Sequence, residues 1–254
     1  TQGEPPSHPE LLDWLAFRFR DSGWNIKEMH RLIVSSATWR QSSFARPELS
    51  DRDPYNILLA RQNRLRVEAE IVRDLALSAS DLLQPKIGGP SVYPRQSEDL
   101  IKLGFQTSLS WPVSKDGDQY RRGMYTFFQR TVPYPMLIEF DAADSNASCT
   151  RRERSNTPLQ ALTLWNDPVF VEASQALGKR LQAASAHAGA GDTGNVNRKI
   201  ALAFEICLSR SPTSRETEIL RNLYIQRLGE SDESGACFAV ARAIMNLDEF
   251  ITRE

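Results

Sequence analysis

The chain reads as mainly α: a multi-helix domain with one small β element and a C-terminal three-helix unit. Three observations carry that reading. Apolar residues recur at helical spacing through most of the 254 residues, N-cap and N3 residue pairs stand at two expected helix starts, and only one stretch is β-rich in composition.

The elements follow in order. Ser7 precedes a segment carrying Leu11, Leu12, Leu15 and Phe19 on one face, and Gly23 ends it. Asn25 with Glu28 supplies the next N-terminal pair, ahead of Met29, Leu32 and Ile33. From Leu65 to Leu83 the residues Leu65, Ala69, Val72, Leu75, Ala76, Ala79, Leu82 and Leu83 keep a helical period, and Pro85 stops it. Thr157 to Asn166 and Pro168 to Ala184 form two helices parted at Asp167-Pro168, because the residue before a proline resists the helical conformation. Val196 to Leu208, Ser214 to Leu228 and Ser234 to Phe250 complete the set, with Thr213 and Glu216 as a further capping pair.

Gln84 to Gln119 lacks helical periodicity and is punctuated by proline and glycine. Segments of that length are uncommon in compact domains unless functional or disordered, and Tyr93, Phe105 and Trp111 argue against disorder. Arg122 to Arg130 is the strand candidate, with a partner expected from inside that loop. The small-residue stretch at 184–195 reads as a flexible connector. The domain plan is therefore a main helical domain at 1–183, holding the 84–119 loop and a polar network at 140–168, then the connector, then a three-helix unit at 196–254 packed on it.

Composition narrows the function classes. Hydrophobic residues make up 41% and charged residues 25%, as in soluble globular domains. Against 31 Lys and Arg stand 32 Asp and Glu, so no global field favours nucleic acid or an anionic membrane. No run has the length of a membrane span, and the opening residues form no signal peptide. Cys149, Cys207 and Cys237 have neither C-x-x-C spacing nor a haem-attachment C-x-x-C-H. No metal and no cofactor are expected in this chain, and a helix length between Cys207 and Cys237 disfavours a disulfide.

The segment from Phe140 to Pro168 concentrates Asp, Arg and Asn, residues of fixed hydrogen-bond geometry. It is expected to be buried and mutually satisfied. Asp141, Asp144 and Asn146 have the oxygen chemistry for calcium without an EF-hand spacing, and capping or pairing with arginine is the competing role. Asp141, Asp144 and Glu153 are the candidate acids and bases. Cys149, ahead of Arg151 and Arg152, is the candidate nucleophile; a buried inert thiol is the alternative, and His8, His30 and His187 are remote in sequence. Arg121, Arg122, Arg130, Arg151, Arg152 and Arg154 suit sulfate, phosphate or carboxylate if they converge, and internal pairing with Glu139, Asp141, Asp144 and Glu153 is the alternative. Tyr93, Trp111 and Trp165 could stack on sugar rings or fill the core. Glu68, Glu70, Arg73 and Asp74 read as a solvated helix face. The candidate ligand-binding set is thus Tyr93, Trp111, Arg121, Arg122, Arg151 and Arg152.

Several motifs in fixed order carry a family resemblance: Ser7 to Ala16, His30 to Ser43, Arg64-Leu65 with Glu68 to Asp74, Gly88 to Val92, Tyr120 to Tyr125, Phe140 to Asp144, and Cys149 to Leu162. Together they resemble the planctomycete-type domain of unknown function catalogued as number fifteen fifty-three. The resemblance implies an extracytoplasmic setting, periplasmic or at the cell surface, in exported multidomain bacterial proteins that carry a c-type cytochrome domain upstream. It implies further that this chain is the C-terminal portion of the domain. The function expected on that basis is a non-catalytic structural or binding module, with other domains of the same polypeptide, including the cytochrome domain, as partners. The alternatives are an extracellular polysaccharide-active enzyme using the acidic residues, and a module binding sulfated, anionic polysaccharide through the arginines.

Overall fold

In the computed structural model the described residues are 5–49, 51–96, 111–130, 132–149, 151–184 and 191–253. Phe105 and much of the 84–119 loop, His187, and part of the 184–195 stretch lie outside them. Nine α-helices and one two-stranded sheet are described, so the fold is mainly α with one small β element.

The chain divides into two compact units, residues 1–65 with 253–254 and residues 66–252. They part near Leu65 and not at the small-residue stretch, because the helices on either side of that stretch pack on each other. In the first unit, α1 (Pro9–Asp21) and α2 (Ile26–Ser35) bury no residue. The Asn25 side chain caps α2 by accepting from the Glu28 amide at 3.1 Å. Beyond them, Asp53 accepts from the amides of Ile57 and Leu58, both at 2.8 Å, and Asn56 donates to the Arg61 carbonyl and the Asn63 side chain. These bonds hold a turn in which Asn56 and Leu59 take positive φ.

The second unit has the core. α3 (Ala69–Ala79) packs against α6 (Pro168–Ala183), and α6 packs along α9 (Glu233–Met245). Val72, Ala76 and Leu77 of α3 meet Phe170, Ala173, Leu177 and Leu181 of α6 in one buried cluster, with Val240, Ala241 and Ile244 of α9. Between α6 and α9 the backbones nearly touch. A Cβ on Gly178 would lie 2.9 Å from the Phe238 amide nitrogen, so only glycine fits there. α7 (Thr193–Leu208) adds Ile200, Ala203 and Phe204 to the cluster, and α8 (Ser214–Glu230), capped reciprocally by Thr213 and Glu216, packs on α7 and α9. α4 (Pro135–Glu139) and α5 (Pro158–Asn166) lead into α6, and Asp167 ends α5 and caps α6.

Three expected boundaries move. The 65–83 helix begins only at Ala69, because Leu65–Arg66 pairs as strand β1 with β2 (Thr252–Arg253). It ends at Ala79, where the Ser80 hydroxyl takes the carbonyls of Ala76 and Leu77 and Asp81 turns to φ 64°. The helix begun near Ser234 stops at Met245, and Asp248–Ile251 is a 3-10 turn. Arg122 to Arg130 is no continuous strand: Gly123–Tyr125 is a 3-10 turn, and the pairing reduces to two isolated parallel bridges, Gln84 with Arg121 and Val92 with Thr126. The partners do come from the long loop. Asp74, however, takes the Gly123 amide, and that donor is lost to any ladder.

Candidate functional site

α3 directs two adjacent charges at the chain segment around Arg121. Arg73, 1% exposed, donates to the carbonyls of Arg121 at 2.6 Å and Gln119 at 2.5 Å. Asp74 accepts from the Gly123 amide at 2.6 Å and from Arg122 Nε at 3.1 Å. The fit demands glycine, since a Cβ on Gly123 would sit 2.7 Å from the Glu70 carbonyl oxygen. Burial lowers the Arg73 pKa, and it raises those of Tyr134 and Asp167 beside it. Asp167 is held in place by its cap bond to the Val169 amide at 2.9 Å. Tyr120, pushed up to about 12 by burial and by Glu172, donates to that carboxylate at 2.6 Å.

Arg121 is fully buried and lies with its guanidinium 3.9 Å from the Tyr125 ring centre. It donates to the carbonyls of Lys86, Gly88 and Pro90, at 3.3 Å to the first and 3.1 Å to the last. Gly88 and Gly89, both at positive φ, bend the loop so that these carbonyls converge on it. Trp111 is 7% exposed, stacks on Tyr134 and meets the edge of Tyr93, and its Nε1 donates to the Pro94 carbonyl at 2.6 Å. Tyr93 stacks on Phe127 at 4.8 Å. The expected ligand set is therefore divided: Arg121 and Trp111 are buried, and Tyr93 is half-buried against them.

At the N-terminal end of α3, Asp141, Arg152, Glu153 and Arg154 come together. Glu70 accepts from Arg152 at 2.7 Å and Glu68 from Arg154 at 2.5 Å. Asp141 accepts from the amide and the hydroxyl of Ser155, each at 2.7 Å. Gln160, 1% exposed, joins the pieces: it donates to the Glu139 carbonyl and to Ser155, and it accepts from Arg66 at 2.8 Å. The recess bounded by Arg66, Glu68, Asp141, Arg152, Glu153 and Arg154 holds about 10 Å³, space for one water at most.

The 140–168 segment is not the buried network expected. Asp144, Cys149, Arg151, Arg152 and Glu153 are all exposed. Its Arg152 and Arg154 pair with Glu70 of α3 and with Glu68, the residue before it, while Asp141 serves Ser155 and Asp144 caps its own turn at the Asn146 amide. Among the described residues, the two acids between them accept from backbone, hydroxyl and side-chain amide donors, and no arginine is among them. The Cys149 thiol donates to the Arg151 carbonyl at 3.3 Å, and the 66–252 unit contains no described histidine to activate it. The buried charges lie elsewhere, at Asp53, Arg73, Asp74, Arg121 and Lys199, the last bonded to Glu233 and to the Tyr224 hydroxyl. Among the described residues no group of three or more His, Cys, Asp or Glu is placed to hold a metal ion, and no helix is long and apolar enough to cross a membrane.

Sequence reasoning missed Arg66, Arg73 and Gln160 as organisers. The Arg73-Asp74 pair stands within a resembling motif, but only the fold shows that both side chains turn inward. The family model described as a protein of unknown function (DUF1553), PSD1, matches residues 1–224, and the chain belongs to that family. No curated protein and no solved structure matches it.

Proposed function

We propose that this DUF1553 chain is a non-catalytic structural or binding module of an exported, cytochrome-associated multidomain bacterial protein. One observation carries the proposal: charged residues of several resembling motifs, those around α3, Arg121 and Arg152 to Arg154, are engaged with one another. Arg73 and Asp74 hold Gln119 to Gly123, Arg121 holds Lys86 to Pro90, and Glu68 and Glu70 hold Arg154 and Arg152. A catalytic set keeps unpaired donors and acids facing a cleft that admits substrate. Here the recess beside Asp141 and Glu153 holds about 10 Å³. The polysaccharide-active reading would need Asp141, Asp144 or Glu153 to face a sugar, and the bonds of Asp141 run inward.

The sulfated-glycan reading retains Arg122, Arg152 and Arg154, whose side chains are 36–44% exposed and each spent on a carboxylate. A partner within the same polypeptide suits the first unit, where Leu12, Trp14, Phe17 and Trp24 stand exposed. The test is association of the 254-residue chain with the separately produced cytochrome domain of its parent polypeptide, followed by sedimentation, beside assays of sugar release from sulfated and unsulfated polysaccharides. A shared sedimenting species without sugar release is expected. Sugar release that disappears in a folded Asp141→Asn variant would overturn the proposal.

A further inference from the structure

A recess of about 320 Å³ opens between the end of α5 and the facing sides of α8 and α9. Trp165, Leu223, Phe238 and Ala239 supply apolar walls, and Arg227 and Arg242 supply the charge. No carboxylate lines it. Most of these residues lie beyond position 224, outside the stretch matched by the family model.

Arg242 is the informative residue. Its guanidinium lies 4.1 Å from the Trp165 ring centre and 5.7 Å from that of Phe238. One amino group donates to the Trp165 carbonyl at 2.5 Å. Its Nε is buried without a hydrogen-bond partner, and the side chain makes no ion pair among the described residues. Arg227, by contrast, is bonded to Glu230 at 2.7 Å. A cation seated on aromatic faces gains from their quadrupoles, and without a counter-ion of its own it is left able to take an anion. Its remaining fork of N–H groups matches a carboxylate.

We infer that this recess binds small monocarboxylates with a flat apolar body, the acid group taken by Arg242 and the body laid against Trp165 and Phe238. Its volume is at the lower end for small-molecule sites, which limits the ligand to about a dozen heavy atoms. A single delocalised negative charge is favoured over a phosphate dianion, because the walls are apolar and a second charge would be left without a partner.

The test uses the 254-residue chain and 3-phenylpropionate, with 3-phenylpropionamide as the neutral analogue of the same shape. The readout is the Trp165 indole resonance, assigned with Trp165→Phe. A saturable shift with a dissociation constant on the order of 1 mM is expected, the affinity suited to a ligand of this size. The amide, and Arg242→Gln with the acid, should each bind at least about tenfold more weakly. Ala239→Phe, which fills the recess without touching the charge, should abolish the shift while thermal unfolding stays near that of the parent. No saturable shift with the acid, equal binding of acid and amide, or parent-like binding by either variant would overturn the inference. Should Arg242→Gln fail to fold, the amide and Ala239→Phe decide it alone.

Discussion

Replacing Arg121 with methionine removes a guanidinium that holds three carbonyls of one loop and lies on the Tyr125 ring. Hydrogen bonds from a charged donor are worth roughly 1.5–3 kcal/mol each when buried, and the aromatic contact adds up to about 2 kcal/mol. The full sum overstates the loss for two reasons. Lys86, Gly88 and Pro90 are exposed residues, so water can take their carbonyls once the loop lifts. Methionine also retains apolar packing and spares the cost of burying a charge. A net destabilisation of about 3 kcal/mol remains, which for a chain of this size lowers the melting temperature by roughly 6–12 °C. Thermal unfolding by circular dichroism measures the magnitude, and amide exchange across residues 86–92 locates it. Arg121→Lys should recover less than half, since one ammonium cannot span three acceptors in place of a planar fork. If Arg121→Met melted within about 2 °C of the parent and exchange over 86–92 were unchanged, that guanidinium would not be what holds the loop.

Gly123→Ala places a methyl 2.7 Å from the Glu70 carbonyl oxygen and strains the Asp74 bond to the same residue, so a loss of about 2–4 kcal/mol is expected in chemical denaturation; a parent-like midpoint would show that the backbones can part freely there. Acid should act through Glu216, which two bonds from Arg210 hold at a pKa of about 2, below its ordinary 4.5. Because the folded value is the lower one, its contribution is complete above pH 4.5 and is lost as pH falls toward about 2. Over that window the parent should lose more melting temperature than Glu216→Gln, and parallel curves would refute the assignment.

What the sequence disclosed was local. Thr213 with Glu216, Asn25 with Glu28 and the Asp167-Pro168 break act within a few residues, and each stands where composition placed it. The α3 pattern misled at both ends because Leu65, Leu82 and Leu83 keep a helical phase on a backbone that is not helical. Leu82 and Leu83 pack on the core regardless, so burial alone made them look continuous with the helix. Arg73 and Asp74 resembled a solvated pair, since charges three or four apart on a helix usually face water and nothing local announces a buried carbonyl 48 residues away. The density of Arg and Asp at 140–168 suggests a buried network; Asp141 and Asp144 find partners within the segment, but those of Arg152 and Arg154 are Glu70 and Glu68 at the start of α3, and only tertiary structure could name them.

Gly178 has a mechanical consequence. It sets how deeply α9 seats against α6, and the residue it touches, Phe238, turns its ring toward Arg242 and the recess near Trp165. The helix works as a lever. A side chain introduced at Gly178 would lift α9 at its point of contact and displace the Phe238 wall, so a substitution in the core would alter the width of a surface cavity whose lining it never enters.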